Sequence, residues 1–476
     1  MLKTIIAKEV RNNILSFRFM VSFVLLFLIV TVTTLVLTGD LARRQQEYSQ
    51  RQADLETYLK TYAHFNRIGN ILQFTQPPIP FQALIRGLTS DVNIQRFDDD
   101  PLPVMFPLID LTFIVTVLVS LVALILSYDA ICGEREDGTL KLMLANGLPR
   151  SKILMAKFAG GSLTILAPFL VSLGAGMLII LAHPGISWTG ADWAALALVI
   201  AGAAAYVSVF YLIGLLISSL HKSSSSSVMT SLFVWVLLVL IVPNLSPYVA
   251  SYLSPTPSRI KVSRETDRLG DTDRDDLGRK LQAQYVAEVV KQYPVLEERL
   301  TGDDLKRRIA EDPAYRKAYE ARRAASERAW REANEIQGEK IRALRDDLQR
   351  KEQAQTSLAR GLSMVSPLAD FSYLATDLSS TGIRNMAHFD QIYGRWSRLF
   401  YGEYEPKKVA EMKAKDPTVD YSNTPVDMTD APRFRYTEED LGGRVQAALP
   451  PFAVLLGYGI LLFAGAYTAF VRYDAR

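Results

Sequence analysis

Long apolar runs are the feature that most constrains this chain. Six segments of about 20 residues or more contain few charged side chains. A helix of that length crosses the hydrocarbon core of a bilayer, and in lipid only a helix or a closed barrel satisfies its own backbone hydrogen bonds. The sequence therefore predicts an all-α membrane protein with six transmembrane helices, called spans 1 to 6: residues 18–38, 106–128, 158–182, 192–219, 228–247 and 447–470.

The segments between the spans differ in length and polarity. Residues 1–17 place apolar side chains on one face, which predicts an amphipathic connecting helix in the headgroup plane; the alternative is a plain charged tail. Residues 129–157 form a short charged loop between spans 2 and 3. Residues 39–105 and 248–446 are long and polar, and six spans place both of them on the side opposite the chain ends.

The distribution of basic residues predicts the orientation. Lys3, Lys8 and Arg11 precede span 1, and the charged loop is also rich in Lys and Arg, which favours the cytoplasmic side for both. A cleaved signal peptide is the alternative for the first apolar run. That run is longer than a signal core, however, and no small-residue cleavage motif precedes Gly39. We therefore expect an uncleaved first span and two cytoplasmic termini.

The segment 248–446 is predicted to be a large, mainly helical extracytoplasmic domain. Asp312 and Pro313 form a helix start signal, with Asp as N-cap and Pro in the first turn. About fifty residues follow with a thin apolar stripe, which suits pairing with a second helix. The other predictions are a partner helix within 272–294, helices at 368–379 and 384–400, and irregular structure over 401–446.

Several kinds of chemistry find no support in the sequence. The phosphate-binding pattern Gly-x-x-x-x-Gly-Lys-Ser/Thr is absent, so we expect no ATP hydrolysis by this chain. The single cysteine, Cys132, excludes an internal disulfide. A zinc site is not predicted, because the four histidines are scattered: His64, His183, His221 and His388. The net charge of +3 comes without a basic stripe, which argues against nucleic acid as a partner.

Charged residues are also scarce within the spans. Asp110 and Asp129 lie near the two ends of span 2 and are interpreted as interfacial residues. A proton-coupled carrier needs ionisable groups nearer the centre of the membrane. The sequence therefore favours a pore or cleft that is opened by work done elsewhere.

The charged loop contains the most specific motif of the chain. It begins with a turn of charged residues, continues through a glycine into an amphipathic stretch, and ends just before span 3. We expect a second protein to bind it, although an ordinary basic loop that meets only lipid headgroups would have similar charges. The apolar points of its amphipathic stretch are Leu140, Leu144 and Ile153.

This motif resembles the loop between the second and third spans of ABC-2 type exporter permeases. The resemblance rests on Glu-Arg-Glu at 134–136, Gly-Thr-Leu at 138–140 and Leu-Pro-Arg-Ser at 148–151. In that family the loop forms a coupling helix that docks on a separate ATP-hydrolysing subunit. The resemblance implies charged contacts from Glu134, Arg135 and Glu136, with Leu140 and Leu144 seated in a groove of the ATPase. The full set of candidate contact residues that it implies is Glu134, Arg135, Glu136, Gly138, Thr139, Leu140, Leu144 and Arg150.

A second resemblance lies in the outer domain. Ser-Pro-Leu-Ala at 366–369, Tyr-Leu-Ala-Thr-Asp at 373–377 and His-Phe at 388–389 are similar to a bacterial ABC-2 subfamily with a long insertion between the last two spans. A helix cap followed by an amphipathic helix would produce much the same pattern. Compared with minimal family members, the 39–105 segment of this chain is long.

Together the resemblances imply a permease subunit of an ABC-2 exporter in a bacterial inner membrane. The expected partners are ABC ATPase subunits, a second permease subunit, the bilayer and a periplasmic protein, with ATP and magnesium bound only by the ATPase. One alternative keeps this complex but uses it to transmit force to the outer domain without moving cargo. The other is a membrane-anchored sensor or scaffold without an ATPase. The cargo and the choice of homo- or heterodimer are left open.

Overall fold

A computed structural model describes residues 2–61, 63–65, 76–87, 109–145, 149–297, 300–415 and 424–472. Every regular element within these ranges is helical, and six helices are long and apolar enough to cross a membrane. The predicted all-α class with six candidate spans is confirmed. The predicted start of span 2 at 106 and Leu148 of the loop motif lie outside the described residues.

The chain forms two compact units, of which the first contains Met1–Asn244 and Ser363–Arg476. Its first helix, α1, is Leu2–Ile14, and span 1 is α2, Phe17–Thr61. Span 2 begins at Leu111 and ends in α3, Ser120–Ser127. The loop helices and later spans are α4 (Cys132–Glu136), α5 (Thr139–Ala145), α6 (span 3, Arg150–Leu181), α7 (span 4, Gly190–Leu220), α8 (span 5, Ser224–Trp235), α9 (Val242–Leu253) and α17 (span 6, Leu441–Val471).

Span 4 lies at the centre of the first unit. It is the most buried of the six candidate spans. Its run of small residues from Ala195 to Ala205 predicts burial either within the bundle or at a dimer interface, and the structure shows burial within the bundle. Two glycines make the close crossings possible. A Cβ on Gly161 of span 3 would lie 2.0 Å from the Tyr211 ring of span 4, and one on Gly214 would lie 1.9 Å from Ser127 Oγ. Only glycine lets the backbones approach this closely.

Spans 2 and 5 each contain a π-helical segment, at Ile114–Val119 and Val236–Ile241. Wider turns of this kind leave backbone carbonyls to find other donors. The Tyr206 hydroxyl donates to the Thr116 carbonyl at 2.7 Å, and the Ser366 hydroxyl donates to the Leu238 carbonyl. Leu238 lies five residues before Pro243, which has no N–H to offer in π-helical register.

Span 5 does not break at Pro243. A proline inside a helix removes a backbone donor, so the sequence predicts that this span could end early at Pro243. The helix continues as α9 through Pro243 and Pro247 to Leu253. The π-helical segment Val236–Ile241 lies directly before Pro243 and accommodates the hydrogen bond that the proline cannot donate. The Ser366 hydroxyl satisfies the Leu238 carbonyl, and satisfaction by neighbouring protein is the condition for tolerating proline in a membrane helix.

A short helix, α14 (Pro367–Leu378), packs against spans 4 and 6. Ser366 caps its first turn, and the Tyr206 and Phe371 rings lie 5.4 Å apart. Asp370 on this helix is 0% exposed. Neither of its carboxylate oxygens has a hydrogen-bond partner among the residues that the structure describes. Sequence reasoning missed this acid, because α14 is too short to read as a span.

Replacing Asp370 with Asn is expected to raise the thermal stability of the solubilised protein by a few degrees. Burial of an unpartnered carboxylate is costly, and Asn has nearly the same shape without the charge. Differential scanning fluorimetry in mild detergent measures the change, with the exposed Asp54→Asn as the neutral control. A fall in stability as large as that of Asp370→Ala would contradict this and indicate a cation bound to the carboxylate.

A second apolar cluster of the first unit lies at the C-terminal end of α2. The end of span 1 packs there, with Leu59 and Phe65 beside Trp396, Phe400 and Met428. Arg433 forms an ion pair with Glu56 at 2.7 Å. The helices of this part are α15 (Ile383–Ser397) and α16 (Glu405–Lys415), joined by a π-helical segment at Arg398–Tyr404.

The expectation of irregular structure over 401–446 was therefore wrong in part. Helix α16 lies within it, and span 6 begins at Leu441. The polar strip before span 6 is held by α15: Arg384 pairs with Glu439, and His388 contacts the Thr437 carbonyl at 3.0 Å. Burial raises the pKa of the Glu438 carboxyl in this strip, and Arg444 opposes that shift.

The second unit is Leu245–Leu362. Its main helix, α13, is Pro313–Ser363, and Asp312 caps it by accepting from the Ala314 and Tyr315 amides, as predicted. The helices before it are α10 (Arg259–Arg268), α11 (Arg274–Gln292) and α12 (Gly302–Glu311). Gly278 of α11 lies against the Trp330 ring, so the predicted partner helix within 272–294 is present.

Candidate functional site: the charged loop and its anchors

The charged loop consists of two short helices, α4 and α5, joined at Gly138. This glycine has φ +73°, a left-handed conformation that ends α4 and that side chains other than glycine rarely adopt. The Thr139 hydroxyl donates back to the Glu134 carbonyl at 3.2 Å. The turn therefore sets a fixed angle between α4 and α5.

A buried ion network holds α4 against the bundle. Lys157 of span 3 is 2% exposed, and its Nζ lies 2.8 Å from Glu134 of α4 and 3.2 Å from Glu9 of α1. A buried ammonium is stable only when it is paired, so the two carboxylates and the lysine depend on one another. The network joins the amphipathic N-terminal helix, the charged loop and span 3 at one point.

The crossing of α1 over span 3 is correspondingly close. A Cβ on Gly160 would lie 2.9 Å from the Glu9 Cβ and 3.4 Å from the Ile6 carbonyl oxygen. Gly160 lies three residues after Lys157, which is less than one helical turn along span 3. The glycine thus allows α1 to lie near enough for Glu9 to reach Lys157.

Further polar contacts tie the loop to spans 1, 4 and 5. Arg18 of span 1 pairs with Asp129 at 2.6 Å. The Ser218 hydroxyl of span 4 accepts from the amides of Ile131 and Cys132. Glu136 accepts from the Ser224 amide and hydroxyl, so this carboxylate caps the first turn of span 5.

Span 6 is reached from the other end of the loop. Arg150 begins span 3 and donates through Nη1 to the carbonyls of Phe470 and Val471 at the C-terminal end of span 6. A cation is the favoured partner at that end of a helix. The loop residues before span 3 are therefore bonded directly to spans 1, 3, 4 and 5. Span 3, which begins at Arg150, makes the bonds to α1 and to span 6.

Comparison with known sequences places this architecture in a family. The family model described as ABC-2 family transporter protein matches residues 3–475, which is nearly the whole chain. The chain belongs to the ABC-2 transporter family. The charged loop of this ABC-2 protein therefore occupies the position between spans 2 and 3 that the sequence motif indicated.

Two curated relatives are similar over shorter stretches. Both are named as probable ABC transporter permease protein NosY. The protein from Pseudomonas aeruginosa is 46% identical over 72 residues, 15% of this chain and 26% of the relative. The protein from Stutzerimonas stutzeri is 36% identical over 132 residues, 28% of this chain and 48% of the relative. The chain thus spans at most about half the length of the curated relatives it matches.

The structure divides the predicted contact residues of the ABC-2 protein into inner and outer sets. Glu134 bonds to Lys157, and Leu140 is 1% exposed within the bundle core. Leu144 packs partly against the same core. Thr139 is exposed, together with Lys141 and Leu142, and the exposed fraction of Leu142 is 66%. The accessible apolar point of α5 is Leu142, which sequence reasoning did not single out.

The remaining predicted residues have partners inside the chain. Arg135 donates to the His221 carbonyl, Glu136 bonds to Ser224, and Arg150 bonds to span 6. These motif residues therefore hold the loop in position and are not all available for contact with another protein.

Lys157 gave a usable signal in the sequence, because a lysine at the edge of an apolar run needs an acidic partner when it is buried. Glu9 gave none, since its position on the polar face of α1 suits a solvated residue equally well. Among the residues that the structure describes, no group of three or more His, Cys, Asp and Glu could hold a metal ion.

Proposed function

We propose that this chain is the permease subunit of an ATP-driven ABC-2 exporter in a bacterial inner membrane. One observation carries the proposal: the charged loop is bonded directly to spans 1, 3, 4 and 5, and span 3 is in turn bonded to α1 and to span 6. A displacement of α4 and α5 would therefore be transmitted through these bonds to the other helices of the bundle. ATP and magnesium would be bound by a separate ATPase subunit, and this chain would carry no catalytic residue.

The ATPase would dock on the outer face of the loop. Thr139, Lys141 and Leu142 present a hydroxyl, a cation and an exposed apolar side chain on adjacent positions of α5. Glu134 and Leu140 would receive the force rather than make the contact, because both are engaged inside the bundle. Both termini would lie on the ATPase side, and two permease subunits would pair with two ATPases.

Replacing Leu142 with Arg is expected to reduce copurification of the ATPase at least about tenfold, because truncating or charging a central apolar contact costs more than about 1.4 kcal/mol. The measurement is affinity purification in mild detergent after expression from the native operon. Leu15→Arg is the matched control, since Leu15 is also an exposed leucine, beside α1.

Equal recovery of the ATPase with Leu142→Arg and the native chain would reject this docking face. Recovery of no ATPase with the native chain would reject the transporter proposal and favour the sensor or scaffold.

Force transmission without cargo is the second candidate. Span 1 is part of a 45-residue helix that extends well beyond the length needed to cross a bilayer. The C-terminal end of this helix is bonded to the second apolar cluster at two points. Glu56 pairs with Arg433, and the Met428 amide donates to the Leu59 carbonyl. A movement at the charged loop could thus reach the outer part without a path through the spans. Both candidates need the same ATPase contact.

A further inference from the structure

A basic cavity lies between the C-terminal ends of spans 4 and 6. Its volume is about 460 Å³. The cations in its wall are Arg135, Lys222 and Arg472. Ser219 and Thr468 add hydroxyl groups, and Leu216 and Leu220 form an apolar flank. The cavity wall thus combines cations with an apolar flank. None of its lining residues belongs to the proposed ATPase contact of Thr139, Lys141 and Leu142.

Lys222 and Arg472 have no carboxylate partner among the residues that the structure describes. A purely structural role for Lys222 and Arg472 would be to neutralise the negative C-terminal ends of spans 4 and 6. Other groups already do this. Arg150 donates to the last carbonyls of span 6, and Arg135 donates to the His221 carbonyl at the end of span 4. Two exposed cations therefore remain beside a cavity whose described lining includes no acidic side chain.

The position of the cavity limits what can fill it. Span 4 ends at Leu220 and span 6 ends at Val471, so the cavity lies where the apolar helices leave the hydrocarbon core. Leu220 is exposed, which would place an acyl chain along span 4 directly beneath the cations. A basic pocket between span ends at this depth suits the phosphate of an anionic lipid headgroup.

We propose that this cavity binds one anionic phospholipid, with the headgroup phosphate between Lys222 and Arg472. Arg135 connects the cavity to the charged loop, so a bound lipid would stabilise one position of α4. The same phosphate chemistry could come from a soluble anion, and the acidic side chain of a partner protein is a separate possibility. The following experiment distinguishes the three.

The test is native mass spectrometry of the full chain in detergent doped with phosphatidylglycerol or phosphatidylcholine. We expect one phosphatidylglycerol to be retained at least tenfold more tightly than phosphatidylcholine. The double variant Lys222→Gln/Arg472→Gln should weaken phosphatidylglycerol binding roughly 10- to 30-fold. Lys141→Gln/Lys152→Gln removes two exposed cations at the same end of the bundle and should leave this binding unchanged.

Equal retention of both lipids, or equal losses in the two double variants, would overturn the proposal. Displacement of the bound lipid by millimolar inorganic phosphate would overturn it in favour of a soluble anion. If Lys222→Gln/Arg472→Gln releases a copurifying protein but keeps phosphatidylglycerol, the cavity is a protein contact instead.

Discussion

Replacing Lys157 with Met should destabilise the protein strongly and uncouple the charged loop from α1. Removal of one partner from a buried ion network costs about 3–5 kcal/mol, because the charges left behind are desolvated and unpaired. Lys157 is 2% exposed and bonds to both Glu9 and Glu134. We expect the melting temperature in detergent to fall by about 3–5 °C for a chain of this length. ATPase stimulation by the permease, measured on the copurified complex, should fall with it.

The control for this prediction lies on the same helix. Lys152→Met changes an exposed lysine, which should cost at most about 1 kcal/mol. The melting temperature should therefore stay nearly unchanged. Combining Lys157→Met with Glu9→Gln and Glu134→Gln removes the orphaned charges and should recover much of the loss. If the triple variant is no more stable than Lys157→Met alone, the network is not what holds α4 in place.

Replacing Gly161 with Leu should prevent spans 3 and 4 from packing. A Cβ at this position would already lie 2.0 Å from the Tyr211 ring, which is buried. Neither backbone can move without disturbing the other spans packed on span 4. Overpacking on this scale costs about 3 kcal/mol or more. We expect at least a severalfold loss of monodisperse protein, measured by fluorescence-detected size-exclusion chromatography.

Gly174 is the matched control, since it lies on the same helix and a Cβ there would meet nothing within 4 Å. Leu is a better helix former than Gly, so Gly174→Leu should fold at least as well as the native chain. Adding Tyr211→Ala to Gly161→Leu should restore part of the folded yield. Normal yield from Gly161→Leu alone would show that spans 3 and 4 cross elsewhere.

The sequence predicted those features that depend on composition and on local signals. The six spans followed from apolar length, and the start of α13 followed from Asp312 and Pro313. The central position of span 4 followed from its small residues. Each of these rests on residues close together in the chain, where one physical rule decides the outcome.

The features that the sequence missed depend on long-range partners. Glu134 and Leu140 looked like surface contacts because nothing nearby in the sequence shows that Lys157 and the bundle core enclose them. The helix across Pro243 looked interruptible because its rescue comes from Ser366, more than a hundred residues later. A local pattern identifies an unsatisfied group but cannot name the distant residue that satisfies it.

The length of α2 has a geometric consequence. Its 45 residues make a rod of roughly 67 Å, with Arg18 at one end and Leu59 near the other. A tilt of about 10° around the Arg18–Asp129 ion pair would carry Leu59, which lies about 62 Å along the helix, sideways by roughly 11 Å. A displacement of one or two ångströms near the base is thus magnified severalfold at the tip. The helix would therefore act as a long lever whose pivot, the Arg18–Asp129 ion pair, lies beside the charged loop.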